Sequence, residues 1–233
     1  MDYHDQQVVV TGGTGALGVA VVGGLLAAGA VCHVPYRNDE EMRRFPHRDH
    51  PKVSLVPLGD LADELAVSAL YGGLDKLWAS IHVAGGFAFA PITQSDKSVL
   101  MTQLESNLIS TYLCSRAAIA AFRRGGGGGR IVNIAARQAL ESRLGANLTA
   151  YAVAKSGVVA LTIALAEEVA KEGILVNAVA PSIMDTPANR VSMPNADFNA
   201  WPKVEEVAAT ILFLASPQNK VTRGAIVPTY GKA

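Results

Sequence analysis

Residues 8–18 read VVVTGGTGALG, an apolar run followed by a glycine-rich turn and the start of a segment with helical spacing. Gly13, Gly15 and Gly18 have the G-x-G-x-x-G spacing that, between a strand and a helix, is typical of a dinucleotide-binding turn. Glycine lets main-chain N–H groups approach a pyrophosphate, and the N-terminus of the helix favours its negative charge. Unless the turn is purely structural, we predict cofactor contacts at Gly12, Thr14, Gly15, Ala16, Leu17 and Gly18.

Outward from this turn, short β-rich apolar runs alternate with longer segments of helical periodicity. The predicted strands are 8–10, 31–34, 53–56, 80–83, 131–134, 175–179 and 225–227, and the predicted helices are 16–28, 62–71, 97–122, 151–171 and 204–215. Such alternation predicts an α/β Rossmann fold: a doubly wound, seven-stranded parallel sheet with helices on both faces. No linker divides the 233 residues, so we expect a single domain over residues 1–233.

Two irregular segments interrupt this alternation. Gly125 to Gly129 is an unbroken glycine run, which we interpret as a flexible surface connection. The segment from Pro181 to Pro202 combines prolines, polar residues and large apolar side chains. Long irregular segments in compact domains are usually functional or disordered, so we predict a lid over a substrate pocket at about 181–202.

Composition narrows the classes of partner and compartment. Lys plus Arg equals Asp plus Glu at 20 each, so no net positive field favours nucleic acid. Cys32 and Cys114 lie in apolar surroundings without metal-ligand spacing, which predicts no metal site and a reducing compartment. The first residues lack the pattern of a signal peptide, and glycines interrupt the uncharged stretch from Val8 to Tyr36. We expect a cytoplasmic protein with a small-molecule substrate, no nucleic acid and no membrane partner.

A tyrosine and a lysine stand four residues apart in one predicted helix, as Tyr151 and Lys155. Residues at this spacing are neighbours on a helix surface. A fixed cation there lowers the pKa of a phenol, which otherwise lies near about 10, towards the range useful for proton transfer. Taken alone, however, the pair is compatible with two ordinary surface residues.

The motifs together resemble the short-chain dehydrogenase/reductase family over essentially the whole chain. The resemblance rests on the glycine turn, Tyr151 and Lys155, Asp60-Leu61 after the third strand, Asn107 in a helix, and Asn177 to Pro181 followed by Thr186. It implies that Tyr151 donates a proton, that Lys155 holds the ribose and lowers the tyrosine pKa, and that Asn107 anchors a relay water. It also implies cofactor contacts at Asp60, Leu61, Ala84, Gly85, Tyr151, Lys155, Pro181, Ile183 and Thr186.

The corner after the second strand bears on the choice between NAD and NADP. An acid there usually binds the ribose hydroxyls of NAD, whereas an arginine accommodates the 2′-phosphate of NADP. The chain has Tyr36 in the place of the acid and Arg37 beside it, which favours NADP. Asp39 and Glu40 follow closely, so NAD stays open.

Two positions depart from the family pattern. The chain reads His82-Val83-Ala84-Gly85 where most members have Asn-Asn-Ala-Gly, which we expect to alter local support more than chemistry. It reads Asn133-Ile134-Ala135-Ala136 where they carry a catalytic serine, so a hydroxyl that polarises a carbonyl is absent. Loss of such a donor costs on the order of 10²–10³ in rate. A substrate that needs little polarisation is therefore expected.

A narrower resemblance suggests what that substrate is. The glycine turn, residues 83–87 and above all the segment from Met184 to Trp201 are similar to the dihydropteridine reductases, a subgroup of the family that also lacks the serine. The resemblance implies hydride transfer to an activated, conjugated substrate such as a quinonoid pterin. Phe87 and Trp201 could sandwich its flat ring, although ordinary packing explains both side chains equally well.

Two other functions stay open from the sequence. A carbonyl reductase is possible if Ser142 replaces the missing hydroxyl. A catalytically weakened nucleotide-binding sensor or scaffold would also retain the glycine turn.

Association of subunits is a further expectation. The predicted helices at 97–122 and 151–171 carry more apolar surface than one sheet face needs, and members of the family commonly pair these helices. We therefore predict a homodimer or homotetramer.

Overall fold

The computed structural model describes residues 1–232 and contains one parallel sheet of seven strands, which confirms the predicted fold class. The strands are β1 (Gln7–Thr11), β2 (Val31–Tyr36), β3 (Val53–Pro57), β4 (Leu77–His82), β5 (Gly129–Ile134), β6 (Ile174–Pro181) and β7 (Ile226–Thr229). Their order across the sheet is β3-β2-β1-β4-β5-β6-β7. The chain therefore reverses its direction of winding between β1 and β4, where open α/β sheets form a crevice at the carboxyl ends of the strands.

The α-helices agree with the predicted segments in most places. They are α1 (Ala16–Ala27), α2 (Asp39–Arg44), α3 (Glu64–Gly72), α4 (Lys97–Gln103), α5 (Ser110–Arg124), α6 (Arg137–Leu140), α7 (Thr149–Glu168), α8 (Pro187–Ser192) and α9 (Val204–Ala215). The predicted continuous helix at 97–122 is wrong in one respect, because a π-helical segment at Leu104–Ile109 separates α4 from α5. The short helices α2, α6 and α8 were not predicted, since six or fewer residues show too little periodicity.

Side chains of the central strands alternate between two cores. Val8 and Val10 of β1 pack with α1 and α9 on one face of the sheet, in a core that includes Val21 and Ile211. Val9, between them, belongs to the core under α3 and α5 on the other face. This alternation follows from the two-residue period of a strand, and burial on both faces explains the continuous apolar run.

Helix α7 lies against β6 with Val158, Thr162 and Ala166 buried. Within residues 1–232 it is the one helix long and apolar enough to cross a membrane by length and composition, a test that a core helix also passes.

The glycine run forms a turn between α5 and β5. Gly126, Gly127 and Gly128 have φ values of 100°, 90° and 76°, in the left-handed region that favours glycine. Gly125 to Gly127 are exposed, as a surface connection requires, whereas Gly129 is buried as the first residue of β5. The run thus serves a tight connection between two buried elements.

Candidate active site

A cleft of about 540 Å³ opens where the strands end. Tyr36, Ile134 and Pro181 line it from the last residues of β2, β5 and β6, and Gly12 and Val83 follow β1 and β4. Most of the sequence-predicted site residues also line this cleft: Gly12, Thr14, Gly15, Ala16, Leu17, Gly18, Arg37, Asp60, Leu61, Ala84, Gly85, Phe87, Asn107, Tyr151, Lys155, Pro181 and Thr186. Ile183 and Trp201 do not line it.

The glycine turn brings main-chain groups to one end of the cleft. Gly12 has a φ of 65°, and a Cβ atom added there would lie 2.5 Å from the main-chain nitrogen of Ala84. At Gly18 a Cβ atom would collide with the carbonyl oxygen of Gly12. No side chain caps the N-terminus of α1 at Gly15, so the first N–H groups of this helix are available to an anion.

Tyr151 and Lys155 meet in the cleft on the first turns of α7. The Lys155 Nζ atom lies 5.9 Å from the centre of the Tyr151 ring and donates a hydrogen bond of 2.7 Å to the carbonyl oxygen of Ile134. Burial lowers the pKa of Lys155 to about 8. Burial also raises the pKa of Tyr151 to about 12.

The expected lowering of the tyrosine pKa is therefore wrong for this arrangement of side chains. Loss of hydration penalises both the phenolate and the ammonium, and burial is the cause of both shifts. Tyr151 is consequently protonated at neutral pH, which suits a proton donor.

Asn107 occupies the π-helical segment and holds the chain after β4. Its Nδ2 atom donates to the carbonyl oxygen of Gly86 at 3.0 Å, and the N–H of Gly86 donates back to its Oδ1 atom at 3.2 Å. Nδ2 also contacts the carbonyl oxygen of Gln103 at 3.0 Å. Because Asn107 is fully buried, this clamp positions the strip from Ala84 to Gly86 along the cleft.

None of the serines that line the cleft replaces the missing hydroxyl. Ala136 is buried at this position. Ser142 is exposed and does not line the cleft, so it does not supply the hydroxyl. Ser106, Ser110 and Ser182 do line it, but each donates its hydroxyl proton to a main-chain carbonyl oxygen.

The substrate end of the cleft contains one of the two predicted aromatic residues. The Phe87 side chain is 64% exposed, and its ring centre lies 5.2 Å from that of Tyr151 in an edge-on contact. Trp201 is buried instead, with its ring centre 5.0 Å from that of Phe198. Trp201 therefore does not line the cleft with Phe87, and the structure favours the alternative of ordinary packing for Trp201 over a sandwich of the two rings.

The lid segment is folded rather than irregular. The hydroxyl of Thr186 accepts a hydrogen bond from the N–H of Asn189 and so caps α8, while Asp185 and Arg190 form a bidentate ion pair with contacts of 2.6 and 2.8 Å. Met184, Thr186 and Asn189 line the cleft. This segment forms one wall of the site.

Sequence reasoning missed Glu41, which lines the cleft beside Arg37. The Oε1 atom of Glu41 accepts from Arg37 Nη2 at 2.7 Å and from Arg37 Nε at 3.2 Å. The i, i+4 spacing of the two residues could have indicated this pair.

A buried chain of hydrogen bonds, also missed, starts behind the cleft at His82. His82 Nδ1 lies 2.8 Å from Asn133 Oδ1, and Asn133 Nδ2 donates to Thr162 at 2.9 Å. An amide oxygen can only accept, so Nδ1 carries the proton and Nε2 accepts from Ser80 at 2.8 Å. Tyr71 then donates to Ser80 at 2.7 Å. All five side chains are buried, and the chain ties α3, β4, β5 and α7 together.

Comparison with known proteins gives one family. The sequence pattern described as short chain dehydrogenase matches residues 6–197. The cis-4-hydroxycyclohexanecarboxylate dehydrogenase of Sinomonas cyclohexanicum is 32% identical, with 98% of this chain and 96% of that protein covered. The galactitol 2-dehydrogenase of Rhizobium johnstonii is 30% identical, with 95% and 92% covered. A solved short-chain type dehydrogenase/reductase from Mycobacterium ulcerans has a TM-score of 0.88 at 25% identity, covering 100% of this chain and 90% of that one.

Proposed function

Because this chain belongs to the short chain dehydrogenase family and is an NAD(P)-dependent oxidoreductase, we propose that it reduces an activated, conjugated substrate such as a quinonoid pterin. Ala136 carries this proposal. It lies in the cleft with Tyr151 and Lys155, yet offers no hydroxyl to polarise a carbonyl group. A substrate that is already electron-poor accepts hydride without that polarisation, and gains a proton from a separate donor.

The residues divide this reaction between them. When bound, the dinucleotide supplies the hydride, and the glycine turn, Asp60 and Thr186 would hold it. Tyr151, protonated because burial raises its pKa to about 12, donates the proton. Phe87, exposed at 5.2 Å from the Tyr151 ring, offers an apolar surface to a flat ring, and the segment from Pro181 to Pro202 closes over it as a lid.

The cofactor preference depends on the corner after β2. Arg37 alone would favour NADP, as its position in the sequence predicts. In the structure its guanidinium also pairs with Glu41 in an exposed i, i+4 contact, which a bound phosphate would compete with. NADP therefore stays the favoured cofactor in this proposal, and NAD stays open.

A second candidate is the oxidation of a hydroxyl-bearing substrate by the same site. The two relatives compared above are named as dehydrogenases of galactitol and of cis-4-hydroxycyclohexanecarboxylate. In that direction Tyr151 would accept the alcohol proton, which its high pKa disfavours at neutral pH. An alkaline optimum is therefore the expected signature of oxidation.

The experiment that tests the proposal is a spectrophotometric assay of NADH and NADPH oxidation with quinonoid dihydropterin, quinones and simple ketones. We expect turnover of the conjugated acceptors and little with ketones. Tyr151→Phe should lower kcat by on the order of 10²–10⁴, whereas the control Tyr230→Phe, at a tyrosine that does not line the cleft, should leave it unchanged. Ketone turnover that exceeds pterin and quinone turnover would reject the conjugated substrate. Undiminished activity in Tyr151→Phe would reject the assigned proton donor.

We also propose that the protein is a homodimer or homotetramer paired through α5 and α7. Exposed apolar residues lie along these helices, including Tyr112, which is 52% exposed, and Ile163, which is 47% exposed. They stand beside a groove of about 200 Å³ lined by Ile119 and Leu161. Patches of this kind on helix faces are common at subunit contacts. Light scattering at micromolar concentration should give at least twice the mass of one chain, and a monomer mass would contradict the proposal.

A further inference from the structure

Residues 83–91, which follow β4, have no regular secondary structure, yet their exposure to solvent follows a regular pattern. Gly85, Phe87 and Phe89 are exposed, whereas the residues between and beside them are partly buried. A period of two is typical of an extended chain, in which side chains point alternately to opposite sides. Gly85 and Phe87 line the cleft. Phe89 therefore lies on the same side of the segment, about 7 Å beyond Phe87 and outside the cleft itself.

The segment is held at two points, so the exposure of its aromatic side chains does not come from a loose loop. Asn107 clamps Gly86 through hydrogen bonds of 3.0 and 3.2 Å. Four residues further along, the N–H of Ala90 donates to the carbonyl oxygen of Asn147 at 2.9 Å. Residues 87–89 lie between these two anchors, and the main chain keeps both rings at the entrance of the cleft.

Neither of the two stretches beside this entrance carries a charge. Residues 83–95 and residues 144–154 contain no Asp, Glu, Lys or Arg, and the second stretch includes Tyr151. Phe87 and Phe89 are nevertheless 64% and 67% exposed, and exposed apolar surface that adjoins a pocket is typical of a binding site. A charged group that left the cleft here would find no partner in these stretches, whereas an apolar group would remove the two rings from water.

We propose that the substrate carries an apolar arm on its reacting ring, and that Phe89 binds this arm where it leaves the cleft. Phe87 contacts the ring beside Tyr151, since the two aromatic rings are 5.2 Å apart, and Phe89 continues the same apolar surface outward. A substrate without such an arm would leave Phe89 uncovered. This inference rests on the proposed function, because the proton donor Tyr151 fixes where the reacting ring lies.

The test measures the binding of 4-alkylphenols, with arms from methyl to hexyl, to the protein saturated with NADP⁺ or NAD⁺. These probes present a flat ring with an apolar arm and need no turnover, so titration calorimetry gives their dissociation constants directly. Complete burial of a methylene group strengthens binding about fourfold, and an arm covered on one side should gain about twofold for each methylene group. The affinity of the wild-type protein should therefore rise by about tenfold or more from 4-methylphenol to 4-hexylphenol.

Three variants assign this rise to Phe89. Phe89→Ala should reduce the ratio of the two dissociation constants to about threefold or less, because the arm loses its apolar partner. Phe89→Leu keeps an apolar side chain and should retain most of the ratio. Phe213→Ala is the matched control, at a half-exposed phenylalanine of α9 that does not line the cleft, and should leave the ratio unchanged. Circular dichroism of each variant establishes that the proteins compared are folded.

The outcomes separate the arm from the chemistry. Equal affinities across the alkylphenols, or a ratio in Phe89→Ala equal to that of the wild-type protein, would refute the binding of an arm even if quinones are turned over. A lower mass of Phe89→Ala than of the wild-type protein in light scattering would also refute it, because a second copy of the chain would then cover Phe89. No turnover of any conjugated acceptor, with the rise across the alkylphenols intact, would refute the proposed reduction and support the arm.

Discussion

Acid should destabilise this protein through the buried side chain of His82. Burial lowers the pKa of His82 from 6.5 to about 4, because the charged imidazolium would lose its hydration in the folded protein. In the unfolded chain the imidazole regains its ordinary pKa. Below about pH 6.5 the imidazole is therefore protonated in the unfolded state but stays neutral in the folded state. The free energy of unfolding consequently falls as the pH is lowered towards 4.

The size of this effect follows from the two pKa values. At about pH 5 the unfolded imidazole is almost fully protonated and the folded one almost fully neutral, which corresponds to a loss of about 2 kcal/mol relative to neutral pH. His33, whose pKa is also lowered by burial, and the ion-paired carboxylates add losses of their own. A variant that lacks only His82 undergoes the same additional losses. The difference in stability between the wild-type protein and this variant therefore isolates the contribution of His82.

Urea unfolding of the wild-type protein and of His82→Asn, measured between about pH 7.5 and about pH 5, provides the assay. The variant should be less stable at neutral pH by about 1–3 kcal/mol, because Ser80 loses its acceptor. That deficit should shrink by about 2 kcal/mol at the acid end. His50→Gln, at an exposed histidine, should retain the pH dependence of the wild-type protein. A deficit of His82→Asn that stays constant across this range would refute the reasoning.

Three further predictions concern the cleft. Gly12→Ala should abolish nucleotide binding, as seen by quenching of protein fluorescence, because its Cβ atom would lie 2.5 Å from the main-chain nitrogen of Ala84; retained affinity would contradict the assigned turn. Ala136→Ser should raise kcat/KM for simple ketones by on the order of tenfold to a hundredfold, since it restores the polarising donor, and an unchanged ketone rate would show that Ala136 does not limit the substrate range. For reduction, kcat/KM should decline as the pH rises through about 8, where buried Lys155 loses its charge; a flat profile to about pH 10 would assign no role to that charge.

The sequence predicted the reacting groups better than their electrostatics. Tyr151 and Lys155 are identified by a spacing that any helix converts into adjacency. The pKa of Tyr151 was expected to fall beside the Lys155 cation, yet burial raises it to about 12 and lowers the pKa of Lys155 to about 8. Burial depends on residues distant in the sequence, such as Ile134, whose carbonyl oxygen contacts Lys155.

The two aromatic residues show the same limit. The sequence supports Phe87 and Trp201 equally as residues that contact the substrate ring, because both are large apolar residues in irregular segments. The packing of Trp201 against Phe198 buries one ring, while Phe87 stays exposed beside Tyr151. Exposure of an aromatic ring in a loop is decided by the partners that the fold brings to it.

What the sequence determined by itself is the fold class and the glycine turn, because both depend on short-range regularities. Apolar residues that recur every two residues, or every three to four, indicate strands or helices through local geometry. Glycines at fixed spacing likewise act through the local conformation of the main chain. Only the tertiary structure decided that Glu41, among three adjacent acids, faces Arg37 in the cleft, and that His82 is fixed as a neutral imidazole. The direction of a side chain and the water around it are set by contacts across the fold, and no local pattern contains them.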